Sequence, residues 1–152
     1  MPLVSLTDLP VKGALLGLDP GAKTIGVAGC DPGRLIASPI ETIVRGKKLA
    51  PALDRLFQLY DERRCTGIVV GLPMNMDGTE GPRAQSARAL ARYILERRDV
   101  PLALWDERLS TAGAERALLE ADTSRARRDE LIDKLAAAWI LQGAIDRLNE
   151  AR

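Results

Sequence analysis

Two short apolar runs with a tight break between them restrict the fold of this chain more than anything else in it. Ala14 to Leu18 is the first run and "TIGVAGC", Thr24 to Cys30, is the second; Asp19, Pro20 and Gly21 open the break. A short continuous apolar run bounded by turn residues reads as a strand buried on both faces. Pro-Gly allows a turn here and no crossover, so the two strands must be antiparallel. A second turn, Asp31 to Gly33, leads to "LIASPIETI", a third strand in which Pro39 lacks an amide donor and points to a sheet edge. The period then changes. Leu49, Leu53, Leu56 and Tyr60 recur at helical spacing, followed by an apolar strand from Gly67 to Leu72 and a helix from about Arg83 to Arg98 with Ala84, Ala87, Ala91 and Ile94 on one face. "PLALW" is a fifth strand, and Ser110 to Arg152 reads as two helices divided by the polar "DTSRARR".

This β-β-β-α-β-α-β-α-α order predicts an α/β fold. A five-stranded mixed sheet, three strands antiparallel and two parallel, is flanked by helices, with each parallel strand reached by a right-handed crossover. A chain of 152 residues has the size of a single domain spanning 1–152.

Composition narrows the chemistry. The chain contains no histidine, which removes a Ser-His-Asp triad, an imidazole base and a HExxH zinc site. Carboxylates, Lys, Cys or a metal must do the work of any enzyme built from it. Net charge is only +1, so no global basic field announces nucleic acid, yet 17 of the 22 basic residues are Arg, the forked donor suited to phosphate. Aromatic residues make up 3%, which leaves little for base stacking. Cys30 and Cys65 are far apart in sequence and read as reduced core thiols. No basic start with an apolar run, and no stretch of about 18 apolar residues, is present, so the expected compartment is the cytoplasm and no membrane association is expected.

In an open sheet of this kind, ligands sit at the carboxyl ends of the parallel strands. Strand one ends in Asp19, strand four runs into "GLPMNMDG", and strand five runs into "WDERLST" with Asp106 and Glu107. The last helix adds Asp133, one turn before Ala136, Ala137 and Ile140 on a small, apolar stripe where a lone carboxylate is expensive. It needs a partner such as Arg, or a cation. Gathered carboxylates repel unless a divalent ion neutralises them, and hard oxygen donors without His or Cys point to one or two Mg2+ or Mn2+ ions. Two such ions about 4 Å apart can hold a phosphodiester, activate water and stabilise the leaving oxygen.

"GLDPGAKTIGVA", "IVVGLPMNMDGTEGPRAQSA", "DERLST" and "IDKLAAAWILQ" resemble the four blocks of the YqgF family, ribonuclease H-fold proteins regarded as pre-16S ribosomal RNA nucleases or Holliday-junction-resolvase-like proteins. The resemblance runs from about Leu15 to Arg147. It implies a ribonuclease H-like fold and a divalent-metal-dependent endonuclease that processes the 5′ end of pre-16S ribosomal RNA, with resolution of branched DNA as the alternative. It matches Asp19, Glu107 and Asp133 to the family's catalytic, metal-holding acids and puts Asn75 and Arg83 near substrate. Lys23, Arg88, Arg92, Arg108, Arg125, Arg127 and Arg128 are further candidates to hold a structured RNA or branched DNA backbone, the last three in a basic loop. Related bacterial resolvases carry a fourth acid three residues after the last, where this chain has Ala136; Asp129 is the available substitute.

Each residue also has a plainer reading. Asp before Pro-Gly favours a turn by its own hydrogen bonding, Glu107 can pair with Arg108 on the surface, Asp106, Ser110 and Thr111 suit a helix cap, and Arg88 with Arg92 suits a solvated helix edge. Two other classes compete with a nuclease. One is a kinase or ATPase of the actin type, which needs two lobes and a second phosphate loop that this length hardly accommodates; ATP binding would revive it. The other is a non-catalytic RNA-binding ribosome-assembly module, which retention of all three acids disfavours. Monomer and homodimer are both open.

Overall fold

The computed structural model describes residues 5–75, 77–106 and 125–150, with side chains from 134 onward in the last helix. Five strands form one sheet of order β3-β2-β1-β4-β5: β1 Ala14–Pro20, β2 Thr24–Cys30, β3 Ala37–Val44, β4 Cys65–Leu72 and β5 Leu102–Asp106. β1 pairs antiparallel with β2 and β2 with β3, whereas β1–β4 and β4–β5 are parallel. Helices α1 (Ala50–Glu62), α2 (Pro82–Arg97) and α3 (Arg125–Glu150) complete the described elements. The expected mixed sheet is therefore present, as is the meander. β3 is an edge strand, and a bulge beside Ala28 and Pro39 accommodates the proline's missing donor.

The strands alternate between two cores. Leu16 and Leu18 of β1, Ile68 and Val70 of β4, and Leu102 of β5 pack with Leu56, Leu90 and Ile94 of α1 and α2. Leu15, Val69, Ala103 and Trp105 face the other way, against Ala137, Ile140, Leu141 and Ala144 of α3. Helix α1 is tied to the edge strand by the forked pair Arg55–Glu41, at 2.6 and 2.9 Å.

Helix α3 corrects one expectation. Arg125, Arg127 and Arg128 lie in its first turns and not in a basic loop, because Arg and Ala are strong helix formers and neither Gly nor Pro interrupts the chain before Gly143. The helix expected ahead of it, from Ser110, lies outside the described residues. The C-terminal half of α3 is pinned beyond the amino end of β1: Gln142 accepts from the Ala37 amide at 2.8 Å and donates to the Leu35 carbonyl at 3.1 Å, and Asn149 donates to the Arg34 carbonyl at 2.9 Å. Arg34 itself is 1% exposed and donates through Nε to the Gly13 carbonyl at 2.8 Å. This buried arginine gave no signal in the sequence. No helix among the described residues is long and apolar enough to cross a membrane.

Both cysteines are free thiols, as expected, but only Cys30 is a buried core residue; Cys65 is half-buried at the start of β4, and desolvation there pushes its thiol up to about 11. The protonated thiol therefore contributes stability below its unfolded value of about 8.5, and that contribution is lost as pH rises through the folded value. Iodoacetamide should modify Cys65 in the folded protein at pH 8 far more slowly than in urea. Equal rates would contradict its burial.

Candidate active site

Because β1, β4 and β5 are parallel, their carboxyl ends meet at one sheet edge. The row Leu18–Val70–Leu104 crosses all three, and one residue further along stand Asp19, Gly71 and Trp105. Asp19 is two residues beyond Gly17, so it points to the α3 face. It is 4% exposed, a buried carboxylate on the central strand. Its cross-strand partner is Gly26, and Gly71 follows the β4 residue paired with Leu18; neither neighbour has a side chain to fill the space beside the carboxyl group.

Gly17 explains how α3 reaches this place. A Cβ there would lie 2.6 Å from Leu141 Cβ and 3.1 Å from the Ala137 carbonyl, so glycine is what lets the helix rest on β1. With its C-terminal half pinned beyond the amino end of β1, the helix runs back across the sheet toward the Asp19 edge. Asp133 is one turn before Ala137, about 6 Å along the axis, and Asp19 lies about 7 Å beyond Gly17 along the strand. The backbone thus carries Asp133 toward the edge that holds Asp19. The side chain of Asp133 lies outside the described residues, as do Glu107 and Arg108 and the side chains of Arg125, Arg127, Arg128 and Asp129. Among the described residues there is no group of three His, Cys, Asp or Glu side chains close enough to hold a metal ion.

The remaining candidates separate. Lys23 is exposed at the tip of the β1–β2 turn, which closes through the Gly21 amide and Thr24 carbonyl at 2.8 Å. Arg83 is exposed in the first turn of α2, at the same edge. Asn75 instead serves its own loop: its amide donates to Thr79 Oγ1 at 3.0 Å, and Thr79 in turn donates to Asp77 Oδ1 at 2.6 Å. Arg88 forms a forked pair with Glu80 at 2.6 and 2.9 Å, and its guanidinium holds the Glu80 carboxyl below the usual range. Arg88 and Arg92 line a cleft of about 390 Å3 on α2, a helix packed on the face opposite to that of Asp19. They do not surround the carboxylate.

Sequence reasoning missed Arg45. Its Nη1 donates to the Gly21 carbonyl at 2.8 Å and its amide to the Lys23 carbonyl at 2.8 Å, which braces the turn that follows Asp19. No motif marked it, because the contact spans 24 residues.

A sheet of this order and direction, with helices on both faces and an acid at the end of its central strand, defines the ribonuclease H-like class of folds. The solved structures agree: Thermus thermophilus RuvC in complex with a Holliday junction substrate aligns at TM-score 0.53 and 14% identity, covering 89% of this chain and 96% of that one. The yeast mitochondrial Holliday junction resolvase Ydc2 aligns at TM-score 0.51 and 13% identity, covering 97% and 85%. Within that class, the chain belongs to the family described as "RuvX: Holliday junction resolvase", which matches residues 13–147. Relatives named "Putative pre-16S rRNA nuclease" include one from Cereibacter sphaeroides strain KD131, 58% identical over 95% of this chain and 89% of its own length. Another, from Rhodopseudomonas palustris strain TIE-1, is 55% identical over 100% of this chain and 95% of its own.

Proposed function

We propose that residues 1–152 act as a single nuclease domain, a divalent-metal-dependent endonuclease that processes the 5′ end of pre-16S ribosomal RNA in the cytoplasm. The observation that carries this reading is Asp19, a carboxylate buried at the end of the central strand with glycines on both flanking strands. Burying a carboxylate at a strand end costs free energy, and a hard cation bound there lowers that cost. The names of the relatives support pre-16S ribosomal RNA as the substrate.

In this reading Asp19, Glu107 and Asp133 are the acids that hold Mg2+ or Mn2+, one or two ions; their all-oxygen donor set fits hard divalent cations. The bound metal would orient the phosphodiester, activate water and stabilise the leaving oxygen. Asp19 contributes rigidity, since its backbone pairs with Gly26 of β2 and directly follows Leu18, which pairs with Val70 of β4. Lys23 and Arg83, exposed at the same edge, bind flanking phosphates, and Arg45 fixes the turn that carries Lys23. With no histidine in the chain, the proton released by the attacking water goes to solvent or substrate oxygen and not to an imidazole.

Labelled pre-16S RNA and a four-way DNA junction, incubated side by side with manganese or magnesium, test the substrate. Endonucleolytic cleavage of the RNA, abolished by a chelator, is expected, with junction DNA bound more than cut. The family description favours a second reading, junction resolution. Efficient symmetric cutting of junctions with no RNA cleavage would select it.

A further inference from the structure

The nuclease reading leaves a cleft on the α1–α2 side of the sheet without a task. It has a volume of about 410 Å3 and is lined by Arg45, Leu49, Ala50, Leu53, Tyr93 and Glu96 together with Arg97. Leu49, Ala50 and Leu53 give it an apolar floor at the start of α1. Tyr93 is 44% exposed, one of few large apolar side chains so exposed among the described residues, in a chain with five aromatic residues in all. Arg92 sits with its Cζ 5.7 Å from the Tyr93 ring centroid.

The surroundings are basic. Lys47 and Lys48 are exposed in the loop between β3 and α1, two and three residues after Arg45. Glu96 is the one acid of the lining, against Arg45 and Arg97, the latter paired with Asp54, and Lys47 and Lys48 stand in the chain between the lining residues Arg45 and Leu49. Arg45 also links this cleft to the candidate active site, because it lines the cleft and its guanidinium donates to the Gly21 carbonyl, two residues from Asp19.

We propose that this cleft binds an unpaired nucleotide segment flanking the scissile bond, with a base stacked on Tyr93 over the apolar floor and its phosphates held by Arg45, Lys47 and Lys48. This deepens the nuclease reading and rests on it for the position of the scissile bond. Stacking on an exposed aromatic tolerates any base, and cations along the strand make binding salt-dependent. An apolar floor rimmed by cations suits a nucleotide, which pairs a flat ring with an anion.

The test is fluorescence anisotropy of a 20-nucleotide labelled single-stranded RNA with the full chain, across a salt series, alongside cleavage of the same RNA with manganese. Tyr93→Ala should weaken binding by about tenfold, while Tyr93→Phe, which keeps the ring, should restore it to within about twofold of wild type. The double variant Lys47→Ala/Lys48→Ala should reduce the salt slope by about 1.4. Asp19→Asn should bind as tightly as wild type and not cleave, which separates holding from chemistry. Wild-type cleavage together with unchanged binding by Tyr93→Ala overturns the cleft and leaves the nuclease standing. Wild type that neither binds nor cleaves overturns both. Unchanged RNA affinity together with a shift from dimer to monomer in light scattering would assign the face to a second copy of the chain and overturn the proposal.

Discussion

Asp19→Asn is expected to reduce metal-dependent cleavage by at least about 10²–10³-fold, the scale on which loss of one preorganised electrostatic contact to the reacting group is felt. The fold should survive. Asn has nearly the same shape, and a neutral amide is easier to bury than a carboxylate at a site 4% exposed. Without metal, the variant should therefore melt at or above the wild-type temperature. On the proposed reading manganese has its site only in the folded chain, and it should raise the wild-type stability by as much as about 2.7 kcal/mol at a hundredfold excess over Kd, and Tm with it. The variant should gain less. Differential scanning calorimetry with and without manganese reads both quantities, and equal shifts in the two proteins would remove Asp19 from the metal site.

Gly17→Val should act through the helix and not through the carboxylate. Its first added atom would stand 2.6 Å from Leu141 Cβ and 3.1 Å from the Ala137 carbonyl, and two further methyl carbons have nowhere to go. The side chain of Leu141 can turn, but its Cβ and the Ala137 backbone move only if α3 moves. Overpacking of this kind costs about 3 kcal/mol, which for a chain of this size lowers Tm by roughly 6–12 °C. Lifting α3 from β1 also lifts Asp133 from the Asp19 edge. Cleavage at 25 °C, where the variant is still folded by circular dichroism, should fall by more than tenfold, a loss the size of one positioning contact. A variant with wild-type Tm and activity would show that the close seating of α3 on Gly17 is not required.

The two variants divide what could be read along the chain from what could not. Apolar runs and their helical periods are local, so the antiparallel meander, the edge position of Pro39, the two parallel strands and the two helices that precede them were all legible before any contact was known. The strand-end acids were legible for the same reason: a carboxylate at the end of a buried run is a local anomaly. Helix α3 was legible as a stripe of small residues. Its start was misplaced, because "SRARR" is polar enough to read as a loop, while the intrinsic preference of Arg and Ala for helix, a weaker signal than turn residues, prevailed.

Contacts between distant segments carry no such local mark. Nothing near Arg45 in the chain announces Gly21, and nothing near Gln142 announces Ala37, 105 residues away. Arg88 and Asn75 looked free to meet a phosphate, yet Glu80 takes one and Thr79 the other. Which face an arginine occupies depends on which layer its helix joins, and that is settled by packing against the sheet. Periodicity along the chain therefore specifies the elements and the acid at the strand end, because each obeys a rule spanning a few residues. The layer that holds Arg92, the brace at Arg45 and the seating of α3 on Gly17 depend on which surfaces fit together, and that complementarity exists only once the chain is folded.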